Sequence, residues 1–175
     1  MKLNIIFFLG IVVLGGLSCT DSGKNQLKVE DDYFINPIFS SGSNPNALFY
    51  GGKYYYTHET NDMILLWETN DITDMGSAVC KEVWRPTDPK SMHNLWAPEI
   101  HRINDKWYIY YAADNGNTDN HQIYVLENDA RTPMEGTFKQ KGPIMTNQEW
   151  NWGIHASTFV HKGVQYLIWS GWPKR

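Results

Sequence analysis

Seven consecutive residues, Leu95-Trp96-Ala97-Pro98-Glu99-Ile100-His101, put an indole, a carboxylate and an imidazole within reach of one another. Such a set suits a sugar: the ring covers the C–H face while Glu99 and His101 take hydroxyl groups. A structural reading uses the same residues, with Glu99 fixed by backbone amides at a rim and Trp96 filling core. Local sequence leaves both open. Trp150 and Trp152 are further rings able to stack on sugar, although part of the chain's Trp complement must be core. His58-Glu59, His93, His121 and Asp114-Asn115-Gly116 show no metal-ligand spacing. Asp114 to Asp119 resembles a calcium loop superficially but lacks its closing Glu, so a solvated turn is expected there. No phosphate-binding loop, Ser-His-Asp order or dinucleotide fingerprint occurs, and no metal or cofactor is expected.

The elements that must carry these residues are strands. Short β-branched and aromatic runs alternate with Gly, Asn, Asp and Pro, and helical periodicity is almost absent after the N-terminal segment. Ala47–Tyr50, a Gly51-Gly52 turn and Lys53–His58 predict a hairpin, with Ile64–Thr69 as third strand. The pattern returns in Glu99–Ile103, Asn104-Asp105 and Lys106–Tyr111, followed by His121–Glu127. It starts again in Ser157–His161, Lys162-Gly163 and Val164–Ser170. Tyr55, Tyr108 and Tyr166 mark the repeat, at spacings of 53 and 58 residues. A few meandering strands per repeat of that size predict the blades of a β-propeller; a single sandwich with generic hairpins is the competing arrangement. Propellers need at least ~4 blades to close, so a chain with about three repeats reads as a truncated arc, the first part of a longer protein.

Composition narrows the partners. The 175 residues carry a net charge of −4 and no Lys/Arg cluster, which argues against nucleic acid or an anionic membrane surface. Aromatic residues make up 14% of the chain, with 8 Trp and 10 Tyr, as suits a β core and a surface that grips a partly hydroxylated ligand. Residues 1–19 read as an export signal: Lys2, the apolar run Ile5–Leu14, then small residues ahead of Cys19. Leu17-Ser18-Cys19 fits a bacterial lipoprotein box, although Gly16 stands where a branched aliphatic is usual; Cys19 is then the lipidated residue, with ordinary cleavage and secretion as the alternative. Residues 20–32 are a polar tether and residues 33–175 the body. Cys80 is left without a disulfide partner and is expected to be a small buried hydrophobe.

Four stretches together resemble glycoside hydrolase family 43, the five-bladed propeller arabinanases, arabinofuranosidases and xylosidases. They are Asn36-Pro37-Ile38 through Asn44-Pro45 to Gly51–Tyr56; Leu95–His101 through Tyr110; Asn120–Asn128; and Leu167–Trp172. The resemblance implies inverting hydrolysis at the mouth of the central funnel, where one carboxylate activates water and another protonates the leaving oxygen. The family's base is an Asp before a Pro in the first blade; here Gly42-Ser43-Asn44-Pro45 puts Asn44 in that place. A second Asp, which orients the acid, follows Trp-x-Ile; here Trp152-Gly153-Ile154-His155 puts His155 there. The acid, a Glu in a Gly-Pro-Glu context, is expected beyond Arg175. A carboxamide has no basicity near neutral pH, whereas an imidazole titrates there. Asn44 also suits a turn before Pro45, and His155 suits a hydrogen-bonded wall.

Residue type makes Trp96 and Trp152 the candidate sugar-stacking rings. The resemblance implies that Glu99 lines the first substrate subsite with His101 as its support and that Asn44 and His155 hold the reacting positions. The expected function is hydrolysis of arabinose-, xylose- or galactose-containing plant poly- or oligosaccharides by a bacterial envelope protein that meets the membrane only through its lipid anchor. The alternatives are a carbohydrate-binding propeller with a degenerate site and, more remotely, a protein-interaction propeller. The 175 residues alone are expected to be inactive.

Overall fold

A computed structural model of the chain describes Phe34, residues 36–146 and residues 152–172. The signal segment, Cys19, the tether and Trp150 lie outside the described residues. Among those described, the regular structure is strand, with two short 3-10 turns at Met75–Ser77 and Thr118–Asn120. Strands β1 (Asn46–Tyr50), β2 (Lys53–Thr57), β3 (Ile64–Thr69) and β4 (Val79–Trp84) form one antiparallel sheet in that order. Strands β5 (His93–Ile103), β6 (Lys106–Asp114), β7 (Gln122–Asn128) and β8 (Lys139–Pro143) form a second, and β9 (Gly153–His161) pairs with β10 (Val164–Gly171). These are two four-stranded blades and the first hairpin of a third, in the meander order of a β-propeller.

The hairpin turns explain why the repeat is so regular. Gly51-Gly52, Asn104-Asp105 and Lys162-Gly163 all have positive φ at both central residues, the turn whose twist matches that of the flanking strands. Each closes an equivalent pair: Tyr50 with Lys53, Ile103 with Lys106, His161 with Val164. Tyr55, Tyr108 and Tyr166 therefore stand two residues beyond the closing pair in every blade.

The main core lies between the first two blades. Tyr55, Ile64, Leu66 and Val83 from the first meet Ile100, Trp107, Ile109, Tyr111, Leu126 and Phe138 around the second. Trp107 is fully buried, edge-on to Tyr55 and Tyr50 at centroid distances of 5.2 Å, with the Arg102 guanidinium 4.9 Å above it. Burying each such large side chain contributes roughly 1.5–3 kcal/mol. Lys81 of β4 latches the outer edges together, donating to the Met134 carbonyl at 2.8 Å. The second seam is thinner. Ala112, Ile123 and Ala156 are buried there, with Trp96, Tyr110, Ile154 and Leu167 half-buried around them. Gly153 permits the close approach, since a Cβ there would stand 2.8 Å from Trp169 and 3.2 Å from Ile123. Beyond it, β9 and β10 expose Phe159, Val160, Tyr166 and Ile168.

Several expectations need correction. The strand expected from Glu99 begins at His93, with register shifts between His93 and Trp96 and again between Trp96 and Glu99. Positive φ at Asn94 and Ala97 produces these irregularities, which disguise the strand in the sequence. The third hairpin begins at Gly153 rather than Ser157. Cys80 is exposed, not buried, because its strand β4 is the outer edge of its blade. Asp114 is fully buried and not part of a solvated turn, because three partners converge on it.

Candidate functional site

Counting back six residues from the end of each inner strand reaches Asn44, Ala97 and His155. All three have left-handed backbone conformations, with φ of +49°, +45° and +54°. An L-residue costs about 1–2 kcal/mol there, less for Asn and more for a residue such as Ala that offers no local hydrogen bond. Its recurrence at one register position shows that the blade geometry imposes it, and sustained strain of this kind concentrates at functional sites. Ala97 is buried, while Asn44 and His155 are exposed.

Two residues further along, the inner strands tie the blades together and present polar groups. Asn46 Oδ1 accepts from the Ile100 amide at 3.0 Å, joining β1 to β5. Glu99 occupies the corresponding place in β5, and its Oε2 lies 3.3 Å from His101 Nε2. Both side chains are largely covered yet not sealed, at 21% and 16% exposure. Among the described residues, Glu99 thus has an imidazole partner, where the rim reading expects backbone amides. Tyr110 braces the pair, its ring 5.7 Å from that of His101.

Trp96 and Trp152 are brought together by a residue that sequence reasoning set aside. The His121 ring stacks on Trp96 at 4.4 Å and lies 6.4 Å from Trp152, which in turn stacks on Trp172 at 4.8 Å. His121 is fully buried and its Nδ1 is 2.8 Å from Asp114 Oδ2. Asp114 also accepts from Asn94 Nδ2, at 3.0 Å to each oxygen, and from the Gly116 amide at 2.7 Å. With its oxygens accepting from Asn94 and Gly116, Asp114 acts as the acceptor toward the imidazole as well, so His121 donates from Nδ1. Burial pushes the His121 imidazole below its ordinary range, and Asp114 offsets this only in part. The ring is therefore a neutral, oriented platform beneath Trp96. Trp152 is pinned separately by its Nε1, which donates to the Thr118 carbonyl at 2.8 Å. An Asp closing one apolar strand and a His preceding the next was the available signal for this pair.

The first blade contributes a different arrangement. Asn44 Nδ2 donates to Glu59 Oε2 at 2.7 Å, and the Glu59 amide donates to the Ser43 carbonyl at 3.0 Å. Beside Glu59, His58 stacks on Trp67 at 4.7 Å with Phe39 against both, and its burial pushes the imidazole down. Among the described residues no hydrogen bond joins Asn44 to His155; they share a register position, not a contact. Among the described residues, no group of three His, Cys, Asp or Glu side chains converges to hold a metal ion.

The sequence profile of Glycosyl hydrolases family 43 matches residues 34–175. The chain is 35% identical over 143 residues to an extracellular exo-α-(1→5)-L-arabinofuranosidase of Streptomyces chartreusis, covering 78% of this chain and 43% of that protein. A protein of the same description from Streptomyces avermitilis is 33% identical, over 78% of this chain and 29% of its own. Among solved structures, the α-L-arabinofuranosidase from Lactobacillus brevis superposes with a TM-score of 0.73 at 26% identity, over 79% of this chain and 46% of that one. The chain thus spans less than half the length of each of these proteins.

Proposed function

The chain belongs to glycosyl hydrolase family 43, and from that premise we propose that the protein carrying it hydrolyses α-L-arabinofuranosyl linkages of plant poly- or oligosaccharides. The observation that carries the proposal is the left-handed residue recurring six positions before the end of each inner strand. It puts Asn44 and His155 at equivalent register positions with the same backbone conformation in their blades, as expected of two groups that serve one site. Trp96 and Trp152, with His121 between them, supply an aromatic surface for the sugar, and Glu99 with His101 supplies hydroxyl partners. The arabinofuranosidase names of the Streptomyces and Lactobacillus relatives favour arabinose over xylose or galactose.

The mechanism in this reading is inversion. A water is deprotonated on one face of the sugar while the leaving oxygen receives a proton on the other. Asn44 positions the water through its carboxamide, and His155 offers a ring nitrogen for a hydrogen bond at the second reacting position. The test is release of nitrophenol from 4-nitrophenyl α-L-arabinofuranoside, β-D-xyloside and β-D-galactoside by the full polypeptide. Turnover of the arabinofuranoside at a rate at least about tenfold above the others is expected; no turnover of any sinks the enzymatic reading.

A second reading is favoured by a specific observation: neither Asn44 nor His155 is a carboxylate. In that reading the funnel binds arabino-oligosaccharide and cleaves nothing. Retained binding, measured by calorimetry, without any nitrophenol release selects it.

Export completes the proposal. Cys19 is the lipid attachment point of an envelope protein, and residues 20–32 tether the propeller to the membrane. The Streptomyces relatives are described as extracellular, which supports a site of action outside the cytoplasm. Incorporation of labelled palmitate into the parent and its loss in Cys19→Ala is the expected result; equal labelling overturns the anchor.

A further inference from the structure

The geometry points to Glu59 as the residue that accepts the proton of the attacking water, taking over in the first blade the task that Asn44 cannot perform. The inference rests on the glycosidase reading and names a catalytic residue within it.

Three observations support it. First, the Glu59 carboxylate is 2.7 Å from the Asn44 carboxamide, so a negative charge lies one hydrogen bond away from the first-blade position of the left-handed kink. A base acts within direct hydrogen-bond reach of the water or through one more water, so this displacement keeps the carboxylate in range. Second, Glu59 is available. Asn44 is the partner of its side chain among the described residues, and no Lys or Arg there forms an ion pair with it. Third, it lies near the aromatic wall: the Leu95 amide, next to Trp96, donates to the carbonyl of Asn61, two residues beyond Glu59, at 3.1 Å. The Glu59 charge favours the protonated form of the His121 imidazole beneath Trp96. The backbone fixes the residue too, because the hydrogen bond that the Glu59 amide donates to the Ser43 carbonyl closes the loop that presents Asn44.

In the reaction, the water O–H bond breaks and its proton passes to the Glu59 carboxylate. The water oxygen bonds the anomeric carbon, and the bond from that carbon to the leaving oxygen breaks, leaving its electron pair on that oxygen. From a nitrophenyl arabinofuranoside the phenolate departs as the anion, so no proton donor is needed. With a sugar leaving group, the departing alkoxide takes a proton from a carboxylic acid of the glycosidase. Asn44 is a positioning residue, its amide holding the carboxylate toward the water.

The experiment uses the full polypeptide and 4-nitrophenyl α-L-arabinofuranoside. Glu59→Gln is expected to lower kcat about 100-fold or more with KM changed by less than about threefold. Sodium azide added to Glu59→Ala should restore nitrophenol release and give an arabinosyl azide of inverted configuration, a readout that a structural role does not produce. Asn44→Asp combined with Glu59→Gln returns the carboxylate to the kinked position and should recover at least roughly tenfold of the lost rate. An active parent whose Glu59→Gln variant keeps kcat within about threefold overturns the assignment and leaves the glycosidase reading standing. An active parent whose Glu59→Ala variant gains nothing from azide, with the double variant no better than Glu59→Gln, also overturns it. A parent that releases no nitrophenol fails at the glycosidase reading itself, and the assignment falls with it.

Discussion

The mouths of the first and second blades contain the same chemical types and treat them in opposite ways. In the second, Asp114 and His121 are fully buried, and the carboxylate is saturated by Asn94, Gly116 and the imidazole. In the first, the half-buried Glu59 has one carboxamide partner for its carboxylate, in an exposed hydrogen bond. The buried pair cannot exchange protons with a substrate and serves to hold the Trp96 platform flat. The open pair has little structural work to do and is free to react. In the proposed reading, burial thus divides the site into a rigid half that grips the sugar and an open half suited to chemistry.

Substitutions should expose that division. Asp114→Ala removes the acceptor of three donors inside the fold and is expected to destabilise by about 3–5 kcal/mol, read from denaturant unfolding. A loss under about 1 kcal/mol would mean the dyad is dispensable and the contrast wrong. Trp96→Ala is expected to cost about 2 kcal/mol in stability, being only half-buried, and to weaken arabino-oligosaccharide binding about tenfold by calorimetry. Unchanged affinity would move the sugar away from this wall.

The pH dependence sharpens the same point. Burial lowers the imidazole pKa of both His121 and His58 in the folded state. The unfolded chain then binds more protons once the pH falls below about 6.5, so stability declines on acidification through that value. The urea midpoint should be lower at pH 5 than at pH 7.5, with a smaller difference in His121→Gln. The reverse slope would show that Asp114 outweighs burial. The smallest effect is expected at Glu59→Gln, within about 0.5 kcal/mol of the parent in stability, because an exposed polar pair contributes little.

Hairpins and repeat were legible in the sequence because turn chemistry is local. Gly51-Gly52, Asn104-Asp105 and Lys162-Gly163 announce the turn they adopt, and the strands beside them alternate. The outer strands were not: β8 is Lys139-Gln140-Lys141-Gly142-Pro143, with no apolar face, and only its pairing with β7 makes it a strand. Asp114 was misread for a related reason, since Asp-Asn-Gly is turn chemistry while its burial is decided by Asn94, twenty residues away. Glu59 was passed over because its partner lies fifteen residues earlier, a proximity created by the first hairpin. Trp96, Glu99, His101 and Trp152 could be named from residue type and family resemblance. The equivalence of Asn44, Ala97 and His155 is visible only in φ, which residue type does not specify.

The most direct test of the account is to follow by proton NMR the first sugar product released from 4-nitrophenyl α-L-arabinofuranoside by the full polypeptide. The account predicts hydrolysis with β-L-arabinofuranose appearing first and mutarotating afterwards. An α-anomer appearing first, or intact substrate in the presence of a protein that still binds arabino-oligosaccharide, would contradict it.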